Sequence, residues 1–342
     1  MNKSYTEYIK NLKIRRHDEM INQTDVSDDF YDETIPPAVR YALESMQEID
    51  PSYNYKLFSS FRRTQDLITE KLRTLDLAIN VRYQGPHNTD THVELFNELE
   101  LLVILSDTNE KPSEAVASLG ETIVGVLSEA QAYNKVDYSS RNKVQIETRQ
   151  PVAQVSITPA IWINSSLYNK SPMEINRGIC EYNFSKRTRK IYLPFLNMAR
   201  INSRDRKLSG SLKSMIRIIR SLIHDSPNEI DLTFDEVIGI IFNIPIKEMA
   251  VPSNHYLSLL PNVSLQIKRL INDDSYREKL LSPAKSEYIF GKKSKIPALK
   301  ALKLELDELI TDINDALSEK NQTLMSSIDY NKKVVVPNRA PL

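Results

Sequence analysis

The chain has 342 residues, 41% of them hydrophobic and 26% charged, and its 45 Lys plus Arg balance 45 Asp plus Glu. This composition excludes fibrous and disordered classes, and a net charge of zero removes any global pull toward nucleic acid or an anionic membrane. The length exceeds what one hydrophobic core usually fills, so two lobes are expected. A single cysteine, Cys180, excludes an internal disulfide and reads as a small core residue. No Cys/His cluster has zinc spacing, and no apolar run reaches the ~20 residues of a membrane span, so the expected setting is the cytoplasm without membrane insertion.

Residues 1–50 read as an N-terminal helical arm, basic and amphipathic to about residue 22 and broken by the acidic Asp25–Glu33 stretch and Pro36-Pro37. From Tyr55 to Asn80, Leu57, Phe61, Ile68, Leu72, Leu75 and Ile79 recur at helical spacing without Gly or Pro, which predicts one long helix spanning both lobes. Short branched runs follow at Val81–Tyr83, Glu100–Leu105, Val144–Thr148 and Val152–Ile157, and these are strand candidates. Between the second and third, Pro112–Tyr133 carries the apolar stripe of a covering helix. Strands with such a helix predict an α/β core over 51–200, in which Trp162 is expected between the lobes.

Residues 201–328 read as a helical lobe, with helices at Ser211–His224, Phe234–Phe242, Asn254–Asn272 and Ala298–Leu317. The tail, 329–342, holds Tyr330 and Val334–Val336 among lysines and prolines and reads as extended. It is either a disordered end or an element that reaches the cleft or joins copies into a homo-oligomer.

Chemistry concentrates after the first strand. Val81–Gln84 runs into Gly85-Pro86, a polar loop follows, and Asn97–Leu105 then places Glu98 and Glu100 two residues apart on a strand. Residues at i and i+2 face the same side, so the two carboxylates would sit together and share a divalent ion. Within the polar loop, His92 reads as a solvated histidine near that site. The run Lys186–Lys190, with Arg187 and Arg189, reads as a solvated basic loop.

This order resembles the DNA polymerase beta superfamily of nucleotidyltransferases, nearest to its CD-NTase and oligoadenylate-synthase branch. The resemblance covers roughly residues 55–245 and rests on Gly85 at the turn, on Glu98-x-Glu100, on Val155–Ala160, and on Ser209–Lys213 with the basic helix that continues to Arg217 and Arg220. It implies an α+β fold, a short mixed sheet with covering helices beside a helical lobe. It also implies Mg²⁺ or Mn²⁺ on Glu98 and Glu100, with nucleoside triphosphate phosphates near Gly85, Pro86, Lys213 and Arg217. Ser156 falls where the family carries its third catalytic aspartate, and Pro86 where it carries a serine. Two readings follow: an enzyme making a nucleotide second messenger or oligonucleotide of the kind used in bacterial antiphage signalling, or a degenerate relative acting as a nucleotide sensor or scaffold for an effector protein.

Overall fold

A computed structural model describes residues 4–16, 35–96, 99–106, 108, 111–291 and 295–323. The expected tail lies outside the described residues. Helices α1 (Tyr5–Arg16), α2 (Pro37–Met46) and α3 (Pro51–Thr74) lead into strands β1 (Ile79–Gln84) and β2 (Leu99–Leu105). After α4 (Pro112–Glu129) come β3 (Tyr133–Asp137), β4 (Val144–Thr148), β5 (Gln154–Ile163), the short α5 (Ser166–Lys170), β6 (Gly178–Asn183) and β7 (Thr188–Tyr192). Helices α6 (Pro194–Lys207), α7 (Ser211–Asp225), α8 (Phe234–Phe242), α9 (Ile246–Met249), α10 (Leu260–Asn272), α11 (Asp274–Glu278) and α12 (Ile296–Thr323) complete the chain.

Two compact units divide these elements, one over Ile49–Arg200 and one formed by Met1–Glu48 with Ile201–Leu342. In the first, β1, β2, β5, β4 and β3 lie side by side in that order, and β6 and β7 extend from the far half of β5. Strand β2 runs antiparallel to β1 and parallel to β5, and this central place explains its sequence. Leu101, Leu102, Val103 and Ile104 are all fully buried, as expected of a strand covered on both faces. One face packs under α3 and α4, whose Val116, Leu119, Ile123 and Leu127 are buried. On the other face Leu102, Ile104, Ala160, Trp162, Ile179 and Tyr192 form a small core with Phe195 against it.

Several expectations change here. The long helix stops at Thr74 and belongs to the sheet unit alone, because Asp76 takes a left-handed φ of 56° and turns Ile79 into a strand. The covering helix ends at Glu129, and Gln131 at φ 50° reverses the chain into β3. The basic run from Lys186 is a hairpin tip and edge strand: Thr188, Arg189, Lys190 and Ile191 are exposed, so no alternation of apolar residues marks β7 in the sequence. Trp162 packs within its own unit, its Nε1 donating to Asn80 Oδ1 at 2.9 Å and the Arg177 guanidinium lying 4.6 Å from its ring centre.

The other unit is helical and centres on α7, whose Leu212, Met215, Ile216, Ile218, Ile219 and Leu222 are buried among residues of α2, α8, α10 and α12. The N-terminal helices pack into this same core, where α7 ends in a charged clamp. Arg15 donates Nη1 and Nη2 to Asp225 Oδ1 and Oδ2 at 2.5 and 2.9 Å, and Tyr41 Oη donates to Oδ2 at 2.8 Å. Burial raises the Asp225 carboxyl, but hydrogen bonds from His224, Arg15 and Tyr41 and the charge of Arg15 outweigh it and hold the group below its ordinary range. Tyr41 is pushed well above the ordinary phenol value by burial and by that same carboxylate.

A folded-state value below the unfolded one makes the clamp's contribution complete above the ordinary carboxylate pKa, and it is lost as pH falls through the depressed value. Asp225→Ala leaves the Arg15 guanidinium buried without its carboxylate and is expected to cost about 3 to 5 kcal/mol. Urea unfolding followed by circular dichroism checks this, and between pH 7 and pH 3 the variant should lose less stability than the wild type.

Candidate active site

Strand registry builds a polar row across the sheet. Gln84 on β1 stands opposite Glu100 on β2, Glu100 opposite Ser156 on β5, and Ser156 opposite Gln145 on β4. Because paired residues share a face, all four side chains emerge together, at the end of β2 where the buried run begins. Glu100 and Ser156 are half-buried, and the Ser156 hydroxyl donates to Gln145 Oε1 at 2.8 Å. The sequence-predicted pair is only half visible: Glu98 lies outside the described residues.

Gly85 covers Glu100. A Cβ built on Gly85 would lie 3.2 Å from the Glu100 Cδ and 3.3 Å from Oε2, and its φ of 84° with ψ of −166° belongs to a region open essentially to glycine. Pro86 then starts a single 3-10 turn to Thr89, closed by the Thr91 N–H donating to the Pro86 carbonyl at 2.9 Å. The loop is not solvated as its histidines led one to expect. His87 and His92 are buried and stacked with ring centres 3.9 Å apart, because this turn folds the loop back on itself.

Three further groups stand near the row. Lys143, just before β4, brings Nζ to 3.8 Å from Glu100 Oε1. Tyr192 Oη donates to the Glu181 carboxylate and lies 3.2 Å from Gln84 Oε1. Burial raises Glu181 above the usual carboxylate range, opposed by Tyr192, Lys143 and Lys190 and reinforced by the Glu100 charge. Lys143 stands just before β4, Glu181 on β6 and Tyr192 on β7, so no spacing along the chain marks them as neighbours of Glu100. Cys180 is buried and its thiol is pushed up, by burial first, which suits a core residue and not a nucleophile.

Lys213 and Arg217 belong to the helical unit. The Lys213 N–H donates to Asp205 Oδ1 at 2.9 Å, and burial raises the Asp205 carboxyl against the pull of Lys213 and Arg217. Arg217 is turned into its own unit: Nε donates to the Met46 carbonyl at 2.7 Å, Nη2 to Ser214 Oγ at 3.1 Å, and Nη1 lies 3.8 Å from Glu48 Oε1. That geometry fastens the end of α2 to α7.

Among the described residues no three His, Cys, Asp or Glu side chains converge as a metal cluster. Among the described residues the donor that fits an ion is Glu100, half-buried beneath a glycine with the Lys143 ammonium 3.8 Å away. Ser156 offers one neutral oxygen where a carboxylate would offer charge and two oxygens, so its position suits a second ion poorly.

A central β2 between an antiparallel and a parallel neighbour, with an acid at its mouth beneath a glycine turn, gives the sheet unit the DNA polymerase beta-like fold, the fold of the CD-NTase structures on which the chain superposes. No family model matches the chain. It is 27% identical to the c-di-GMP synthase of Lachnospiraceae bacterium (strain RUG226), a match spanning 91% of this chain and 99% of that protein. It is 25% identical to the c-di-GMP synthase of Flavobacteriaceae sp. genome_bin_11, over 92% of this chain and 98% of that protein. The solved structure of a STING-associated CdnE c-di-GMP synthase from Flavobacteriaceae sp. superposes with a TM-score of 0.74, at 22% identity, over 92% of this chain and 99% of that one.

Gly85→Ala places a methyl group against the Glu100 carboxylate and forces a disfavoured φ. A loss of about 1 to 3 kcal/mol is expected in urea unfolding, together with weaker nucleotide binding by calorimetry, since the turn and the carboxylate move together.

Proposed function

We propose that the protein is a metal-dependent nucleotidyltransferase that joins nucleoside triphosphates into a cyclic dinucleotide, a second messenger of the kind used in bacterial antiphage signalling. The observation that carries this reading is Glu100, held at the mouth of the buried β2 directly beneath Gly85, in a chain that matches cyclic dinucleotide synthases over nearly their whole length.

Each residue then has a task. Glu98 and Glu100 would hold Mg²⁺ or Mn²⁺, and the ion when bound would neutralise polyphosphate charge and lower the pKa of the attacking hydroxyl. Gly85, lacking a side chain, lets a phosphate approach the backbone above Glu100. Pro86 contributes shape only, having no N–H to donate. Lys213 is the phosphate-binding candidate of the helical unit, whereas Arg217 serves the packing of that unit. GTP is the first substrate to try, given the names of the relatives. The match across the relatives' full length favours an enzyme over a scaffold that has kept the fold alone.

Incubation with labelled GTP, ATP, CTP and UTP and Mg²⁺ or Mn²⁺, followed by chromatography, should yield a phosphatase-resistant cyclic product. Glu98→Gln combined with Glu100→Gln should lower its formation on the order of a hundredfold or more, as loss of a principal electrostatic contact does. A wild-type protein that binds nucleotide yet forms no product with any base would instead support a nucleotide sensor.

A further inference from the structure

The residues around Glu100 carry a charge pattern that the assignment of carboxylates does not explain. Lys143 and Gln145 alternate onto the face of Ser156, since Gln145 is the registered partner of Ser156 on the antiparallel β4. From there the Lys143 side chain crosses β5, and its ammonium stops 3.8 Å from Glu100 Oε1, with the two side chains 36% and 31% exposed. Its charge also acts on the buried Glu181 carboxyl. The ammonium therefore lies over the floor of the site while part of its side chain stays in solvent. On that floor Thr158, 1% exposed and one step beyond Ser156 on the same face, has a buried hydroxyl with no hydrogen-bond partner among the described residues.

Ser156, where the resembled family carries an acid, leaves the site one negative charge short, and the Lys143 ammonium places a positive charge 3.8 Å from Glu100. A second ion would have to bind beside an ammonium with only the neutral hydroxyls of Ser156 and Thr158 facing it from β5, and like-charge repulsion opposes it.

Resting on the proposed function, we infer that this is a one-ion site in which the Lys143 ammonium takes the place of a second divalent cation and binds a phosphate of the nucleoside triphosphate. Lys143 is the better group for that task than an arginine would be at a planar carboxylate, because it acts as a compact point charge that phosphate oxygens approach from any side. On β5 the place of a further carboxylate ligand is held by Ser156, hydrogen-bonded to Gln145.

Two measurements that need no turnover test this on the full chain. Mn²⁺ bound in the presence of GTP, counted by electron paramagnetic resonance, should be one ion per wild-type molecule and two in the Ser156→Asp, Lys143→Ala double variant. GTP binding in EDTA, measured by calorimetry, should weaken roughly tenfold or more in Lys143→Ala, as loss of a charged contact does, and should survive largely in Lys143→Arg. Two ions on the wild type, or GTP binding in EDTA that is indifferent to Lys143→Ala, would overturn the inference. Lys143 is partly exposed at a strand end, so its truncation leaves the core intact, and the arginine variant separates lost charge from lost packing. Absence of product from the wild type would defeat the proposed function while leaving both binding measurements to decide the role of Lys143 by themselves.

Discussion

Burial of β2 is the constraint on which the sheet unit depends. Its backbone is paired on both sides and its side chains from Leu101 to Ile104 are sealed from water on both faces. Burying each such side chain contributes about 1.5 to 3 kcal/mol, so a slip of register by one residue would be prohibitively costly. Fixed register is what places Glu100 opposite both Gln84 and Ser156, and what lets a glycine turn after β1 come to rest over a carboxylate. Precision at the site is inherited from apolar packing a few residues away.

Electrostatics in that unit follow from the same pairing. Glu100 receives Lys143 across β5, while Glu181, driven toward its neutral form by burial, is tied to Tyr192 and through it to Gln84. A carboxylate left open under a glycine differs from one locked against a tyrosine, although both are glutamates on neighbouring parts of one sheet. The first, half-buried, is met by the Lys143 ammonium at 3.8 Å; the second is tied into the floor by Tyr192.

The helical unit solves a different problem by similar means. The end of α7 is anchored at Asp225 by Arg15 and Tyr41, and its middle is tied to the end of α2 by Arg217. Arg16 caps the same α2 end, donating Nη1 and Nη2 to the carbonyls of Glu44 and Ser45, and its guanidinium, buried first and repelled by Arg15 and Arg217 second, is brought down to about 9. Buried charges in this unit are spent on helix ends, where unpaired carbonyls would otherwise face the core.

Local sequence determined the elements whose signals are periodic or steric. The helical stripe of Pro112–Glu129, the doubly buried run of β2, the hairpin of β4 and β5, and the glycine turn at Gly85 all follow from residue type and spacing, because each is governed by contacts within a few residues or by a buried face. The same logic marked Glu98 and Glu100 as the places where chemistry would stand, and the resemblance to the polymerase beta superfamily added Ser156. Tertiary structure alone decided what those residues face. Lys143, Glu181, Tyr192 and Gln84 are separated by long stretches of chain, and only strand order and register bring them beside Glu100; the stacking of His87 on His92 and the inward turn of Arg217 likewise depend on what the fold packs around them. Charge acts through space, so a cation contributed from another strand leaves no mark in the spacing of the acids it meets.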